Sequence, residues 1–419
     1  MNVRLTSLAG LMWAAASMSV GILSFTLSSI IGSLKISGVM TQLMAASTAI
    51  GMLIGALTSG PLADKLGRKR VCIILAIIFA ASNIVTPITP LSFQTIFTLR
   101  LISGIGVGGF LPILAALISE LSKPMERGKN ICFLESFWAY GWLIALIITW
   151  KILPLYGWQT SMASVGIISL LLTLSAYPFI PQSPRYLLLI GEKEKAVEIA
   201  QQYELTLPKI KTSKPKINEQ IQILFSKENR RITTALWIVW FTIAMGYYGI
   251  FIWLPKSILS AKIPLIKSFQ YLAIMTIAQI PGYYSAVLLV EKIGRKIILG
   301  SYLALTAISS FMYANSTNIT EMIIWGSTLS FFDLGSWAAL YTYTPEQYPT
   351  YSRGLGSSWA SAIGRIGAIL GPYIVPPLIA IGNWFLAFSF FALIHIIGSI
   401  AALMGREMKG KEMPEITAI

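Results

Sequence analysis

The sequence predicts an all-α membrane protein, with twelve spanning helices arranged as two pseudo-symmetric six-helix bundles. Three observations lead there. Hydrophobic residues make up 55% of the 419 positions and charged residues only 12%, too little charge for a surface that faces water. Apolar runs of about 20 residues recur along the whole chain, each long enough to cross a hydrocarbon core of about 30 Å as a helix. They are unbroken rather than alternating every second residue, which favours helices over a barrel. Finally, the chain repeats itself. Gly60 to Arg70 reads GPLADKLGRKR and Glu291 to Lys296 reads EKIGRK, with Asp64 and Glu291 227 positions apart. Glu120 and Glu346 each stand seven residues before an Arg-Gly pair, Arg127-Gly128 and Arg353-Gly354, a displacement of 226.

The first bundle is expected over residues 1–180, with spans near 8–31, 38–62, 71–90, 93–119, 131–153 and 159–180. The first run is long enough to span and lacks a clear cleavage site, so it is expected to stay in the mature chain. The fourth carries a glycine run, Gly104 to Gly109, suited to close helix packing. Residues 181–231 form a cytoplasmic linker, with an amphipathic helix over 192–204 and a stretch rich in Lys and Pro over 208–215. The second bundle follows over 232–404, with spans near 232–254, 268–290, 297–315, 320–345, 355–380 and 383–404, then a cytoplasmic tail over 405–419. Pro112, Pro281 and Pro372 lie inside spans, where a missing N–H loosens the backbone locally.

A formal net charge of +15 could point to nucleic acid, but its distribution points elsewhere. Of 32 Lys and Arg, 25 fall at the termini or in the even-to-odd connections; five fall in the opposite set, and Arg100 and Arg365 sit within spans. That asymmetry places both termini and the central linker in the cytoplasm of a multi-pass cell-membrane protein. Cys72 and Cys132 are expected as small apolar fillers rather than a disulfide. Asn315 and Asn318 begin glycosylation sequons in a short outward loop, which leaves their modification open.

The GPLADKLGRKR segment matches the loop signature of the major facilitator superfamily, and EKIGRK its weaker second copy. RLISGIGVGG from Arg100, LESFWAYGW from Leu134, PQSPRYL from Pro181, YYGIFIWLP from Tyr247, QIPGYY from Gln279 and YTPEQYPTYSRGLG from Tyr343 narrow the resemblance. Together they resemble the branch of sugar porters, organic-ion transporters and synaptic-vesicle-glycoprotein relatives, and look most like the bacterial niacin permeases. The resemblance implies the major facilitator fold and secondary transport of a small organic solute by alternating access, with the site between repeated halves. It identifies the machine better than the cargo. It also implies a cytoplasmic gate, with Asp64, Arg68, Glu120 and Arg127 in one cluster and Glu291, Arg295, Glu346 and Arg353 in its twin. Gln182 stands where the motif has Glu, so a weaker third contribution to that network is expected.

Ionisable residues inside spans cost about 2.5–3.5 kcal/mol on insertion scales and normally face a partner or a watery cavity. Arg100, Glu135, Asp333 and Arg365 qualify. Asp333 and Arg365 lie at compatible depths and are expected to pair. Arg365 is the stronger candidate to fork onto a substrate carboxylate, with Arg100 as a second. The niacin permeases carry two acids in the first span, where this chain has Ala16 and Ser19. Proton coupling, if present, therefore falls to Asp333, with Glu135 near the cytoplasmic cluster; a uniporter in which Asp333 simply neutralises Arg365 is the alternative.

Aromatic side chains in the second bundle offer flat walls with polar tips. Tyr247, Tyr283 and Trp337, with Gln279, lie at suitable depths for the substrate; Trp253 and Trp237 are expected as interface anchors or packing. An organic or aromatic carboxylate is favoured over a neutral sugar as cargo. A membrane enzyme is disfavoured: the chain's one histidine, His395, has no metal or nucleophile constellation around it and reads as a packed residue. No phosphate-binding loop suggests ATP-driven pumping. A non-transporting sensor would call for a larger cytoplasmic extension. No cofactor, metal or nucleic acid is expected; the partners are a small organic solute, a proton if coupling exists, and the lipid bilayer, and the protein is expected to act as a monomer.

Overall fold

Fourteen α-helices appear among the residues that the computed structural model describes: 3–123, 126–205, 217–261, 263–349 and 352–409. In the first half these are α1 (Val3–Leu34), α2 (Val39–Leu66), α3 (Arg68–Ile84), α4 (Phe93–Glu120), α5 (Arg127–Ala176), α6 (Pro184–Leu189) and α7 (Lys193–Gln202). The second half holds α8 (Ile217–Leu224), α9 (Arg230–Ser260), α10 (Leu265–Ile277), α11 (Gln279–Lys292), α12 (Arg295–Ala314), α13 (Ile319–Glu346) and α14 (Arg353–Ala402). The stretch 208–215 and most of the tail lie outside the described residues.

Helices α5 and α14 each run 50 residues, about 75 Å at 1.5 Å per residue, more than twice a hydrocarbon core. Each is bent where one span ends and the next begins. In α5 the bend is Gly157, at φ 81° and ψ 175°, backbone that favours glycine; in α14 it is Gly382 and Asn383. The opposite case is α10 and α11, one span interrupted at Ala278. Pro281 lacks an N–H and its ring crowds the carbonyl of Ile277, the last residue of α10. Counted this way, the described residues supply the twelve expected spans.

The chain divides into two compact units, Met1–Ile210 and Lys211–Ile419. Within the first, α1 packs on α5, α2 on α4, and α3 on α4 and α5. Within the second, α9 packs on α14, α11 on α13, and α12 on α13 and α14, so the same pairings recur in the same order. In each unit the first spanning helix is the most enclosed, with 83% of its most apolar window buried. Ser17 Oγ of α1 donates to the Trp138 carbonyl on one half of α5, and Ser169 Oγ on the other half donates to the Ala15 carbonyl, so α1 is held from both sides.

The glycine run of α4 allows its close contact with α2: a Cβ on Gly104 would stand 2.1 Å from the Thr48 carbonyl oxygen, and one on Gly108 2.1 Å from that of Met52. The amphipathic helix expected over 192–204 is α7, which buries Ala196 and Ala200. Asn318 Oδ1 caps α13 by accepting from the Glu321 N–H at 3.0 Å. Cys72 and Cys132 are buried and unbridged.

Candidate functional site

Each signature loop folds by the same local rule. Asp64 and Arg68, like Glu291 and Arg295, are four residues apart, flanking a glycine that ends one helix and begins the next. Gly67 sits at φ 88° and Gly294 at φ 125°. A Cβ there would be strained by the backbone and would also collide with the Gln182 amide in one unit and the Glu407 carboxylate in the other.

Arg68 Nη2 reaches Asp64 at 3.1 Å and Glu120 at 3.7 Å. Its counterpart Arg295 reaches Glu291 at 2.9 Å, while Nε lies 3.1 and 3.3 Å from the two oxygens of Glu346. Arg127 donates from Nε to the Ser119 carbonyl at 3.1 Å, and Arg353 to that of Tyr348 at 3.3 Å. All eight residues expected in the two clusters therefore lie in or beside them, four to a unit.

Gln182, expected as a weaker third contribution to the first network, accepts at Oε1 from the Lys69 N–H at 3.1 Å and so caps the start of α3 as a neutral amide. Beside it, the Ser183 hydroxyl donates to Glu120 and the Tyr186 hydroxyl donates to the Lys65 carbonyl. In the second unit Glu407 takes the same place: Oε1 accepts from the Arg295 N–H at 3.1 Å and Oε2 from that of Lys296 at 3.0 Å. Sequence reading missed Glu407. Its offset of 225 from Gln182, nearly that of the other repeated marks, was the available signal.

The charges within spans distribute differently from expectation. Asp333 does not meet Arg365: the group facing its carboxyl is the imidazole of His395, whose Nε2 stands 3.8 Å from Oδ1, both side chains wholly buried. Arg365 hydrogen-bonds the Tyr248 hydroxyl. Similar depth on consecutive spans was legible; which faces turn toward each other was not, and His395, expected as a packed residue, is wholly buried and also faces Asp333. Glu135 is buried in the first half of α5.

Arg100 is wholly buried in α4, and Nε, Nη1 and Nη2 have no hydrogen-bond partner among the described residues. In α1, Ala16 and Ser19 are both buried. Gln279, at the break between α10 and α11, is likewise wholly buried, with neither amide atom partnered.

Aromatic rings in the second unit form a connected wall. Trp240 meets Trp337 at 5.8 Å and Tyr341 at 5.1 Å, and Tyr247 meets Trp337 at 6.0 Å and Tyr248 at 5.3 Å. Tyr283 is buried in α11. Trp253, expected as an interface anchor or packing, is 1% exposed and donates to the Pro372 carbonyl at 2.9 Å, a packing role inside the unit.

The model of the family described as "Sugar (and other) transporter" matches residues 9–419. The chain belongs to that family. Among relatives of the transporter chain, a niacin transporter of Acinetobacter baylyi is 35% identical, over 97% of this chain and 94% of that one. A putative niacin/nicotinamide transporter of Bacillus subtilis is 38% identical over 98% and 97%. The synaptic vesicle 2-related protein of Xenopus laevis is 24% identical over 98% and 79%. Among solved structures, a partially occluded inward-open form of the xylose transporter XylE from E. coli superposes with a TM-score of 0.77 at 18% identity, covering 94% of this chain and 95% of that one. That likeness speaks to the fold: the transporter is an all-α, multi-pass membrane protein with the major facilitator architecture. It is not an enzyme, and its partner is a small-molecule solute.

Proposed function

We propose that this transporter carries a small aromatic monocarboxylate of the pyridine-3-carboxylate type across the cell membrane by alternating access, with a proton as the accompanying ion. The observation that carries the substrate class is Arg100. A guanidinium taken out of water without a partner costs several kcal/mol, and here no carboxylate among the described residues hydrogen-bonds it. A planar carboxylate matches its donor fork, and the gain is largest where water is excluded. Two relatives above 30% identity carry niacin in their names, which supports the same class. The ring wall of Tyr247 and Trp337, with Gln279 and Tyr283, suits a flat heteroaromatic, and Arg365 is the second candidate for the anionic end. The two charge clusters act as the cytoplasmic gate; both termini lie in the cytoplasm and the carrier works as a monomer.

The test is counterflow in liposomes with labelled nicotinate, benzoate, nicotinamide and xylose. Nicotinate and benzoate should exchange while the neutral amide and the sugar do not, and Arg100→Gln should weaken nicotinate by at least about tenfold, or about 1.4 kcal/mol, close to the low end for a lost hydrogen bond to a charged group. Undiminished nicotinate affinity in Arg100→Gln rejects the assignment. A neutral sugar is the second reading, favoured by the family description and by the fold shared with a xylose transporter. Preferential xylose counterflow would establish it.

A further inference from the structure

The chain has a single histidine, His395, wholly buried in the second half of α14. Its Nδ1 lies 2.8 Å from the carbonyl oxygen of Phe391, one turn earlier. A carbonyl can only accept, so Nδ1 carries a hydrogen, and a neutral ring must then present a bare lone pair at Nε2. Asp333 Oδ1, on α13, stands 3.8 Å from that nitrogen. Two acceptors facing each other in a dry interior repel, and a proton on either one turns the contact attractive. Neither oxygen of Asp333, nor Nε2, has a hydrogen-bond partner among the described residues.

The ring is also confined. A Cβ on Gly246 of α9 would stand 2.1 Å from Cε1 and 2.5 Å from Nε2, so the imidazole lies against bare backbone. The other charged and titratable groups on the packed helices are engaged elsewhere or at helix ends. Arg365 of α14 binds Tyr248 of α9, Tyr302 and Tyr313 of α12 bond Ser285 and Ser257, and Glu346 of α13 holds Arg295. His395 is the group that acts on Asp333 electrostatically.

From this geometry we infer that Asp333 and His395 hold one proton between them and form the proton site of the carrier. The inference rests on the carrier reading for its role, but not for the site itself. With the proton the pair is neutral overall; without it, one negative charge is left buried. Loading takes one H⁺ from water on one side and unloading returns it on the other; Nδ1 keeps its hydrogen and no electrons move. Trp337 follows Asp333 by one turn and meets Tyr247, the neighbour of Gly246, so the change of charge occurs beside the aromatic wall.

One histidine makes the test direct. Full-length protein labelled with [15N]histidine and held in lipid nanodiscs gives one ring to observe over roughly pH 5 to 9, the range in which histidine charge is set. The expected result is Nδ1 protonated throughout and Nε2 passing through a one-proton transition that Asp333→Asn displaces by about one pH unit or more. A neutral ring protonated at Nε2 instead of Nδ1, or a transition unchanged in Asp333→Asn, overturns the proposal, and the tautomer is read on wild-type protein even if a variant does not fold.

In liposomes, a gradient of one pH unit supports roughly tenfold accumulation at one proton per solute. His395→Gln and Asp333→Asn should each lose that accumulation, the double variant no more than either, while nicotinate counterflow survives. Surviving counterflow with wild-type accumulation in His395→Gln removes the coupling role. Absence of counterflow in wild-type protein defeats the carrier reading instead and leaves the nanodisc spectra to judge the proton site.

Discussion

Asp64 and Glu120 both face Arg68, yet water treats them differently. The side chain of Asp64 is 72% exposed and that of Glu120 14%, and the twin cluster repeats the split, with Glu291 at 60% and Glu346 at 12%. An exposed ion pair is worth about 0–1 kcal/mol, so Asp64→Asn should leave the melting temperature nearly unchanged. Its loss should instead appear as a fall in most of the uptake, because an exposed carboxylate at a helix end is free to serve a gate. Uptake at the wild-type rate in Asp64→Asn would remove Asp64 from that role. Glu346→Ala is the converse: it strips a mostly buried guanidinium of its two-oxygen partner, and a loss near the low end of the roughly 3–5 kcal/mol for broken buried pairs is expected. Thermal unfolding in nanodiscs would measure both. The i, i+4 members, Asp64 with Arg68 and Glu291 with Arg295, were legible in the sequence because helix geometry alone brings them together. Asp333 was legible as a buried acid, but not His395 as its partner.

For the helices, the contact between α2 and α4 depends on the absence of side chains. Gly108→Ala would place a carbon 2.1 Å from the Met52 carbonyl, against backbone that cannot yield without moving α2. Overpacking of this kind costs about 1–3 kcal/mol, and Gly32→Ala, with nothing within 4 Å, is the neutral control. Equal melting temperatures for the two variants would show the helices to be less tightly seated than the structure has them. Outside the membrane, Lys123 after α4 holds Glu204 after α7. Their hydrogen bond lowers the carboxyl of Glu204 and raises the ammonium of Lys123 from their usual values. The sign follows: the tether contributes at neutral pH, and is lost as pH falls through the lowered carboxyl value or rises through the raised ammonium value. Hydrogen exchange in α7 should therefore quicken on acidification beyond its intrinsic rate in wild-type protein but not in Glu204→Gln. Helix limits were readable to within several residues, because length and apolarity set them; that α5 and α14 continue through two spans was not, since it depends on backbone angles at Gly157, Gly382 and Asn383.

At the scale of the whole molecule, duplication is the organising fact. The charge clusters, the glycines at the loops and the helix pairings all recur at offsets near 226 residues, so lesions at equivalent places should produce like phenotypes. Arg68→Gln and Arg295→Gln are both expected to insert in the membrane and both to lose most transport; a defect confined to one would mean that one copy has lost its function. Orientation is tested with a protease-cleavable tag on either terminus, cut in inside-out vesicles and protected in right-side-out ones.

Composition, span length and the spacing of charged residues determined the membrane setting, the twelve helices and the twin loops, because those depend on hydrophobic length and on position along a helix, quantities fixed by counting residues. Packing decided the rest. Which face of α13 meets which face of α14, and therefore that Asp333 looks at His395 while Arg365 binds Tyr248, depends on the rotation of each helix about its axis, set by contacts among several helices at once.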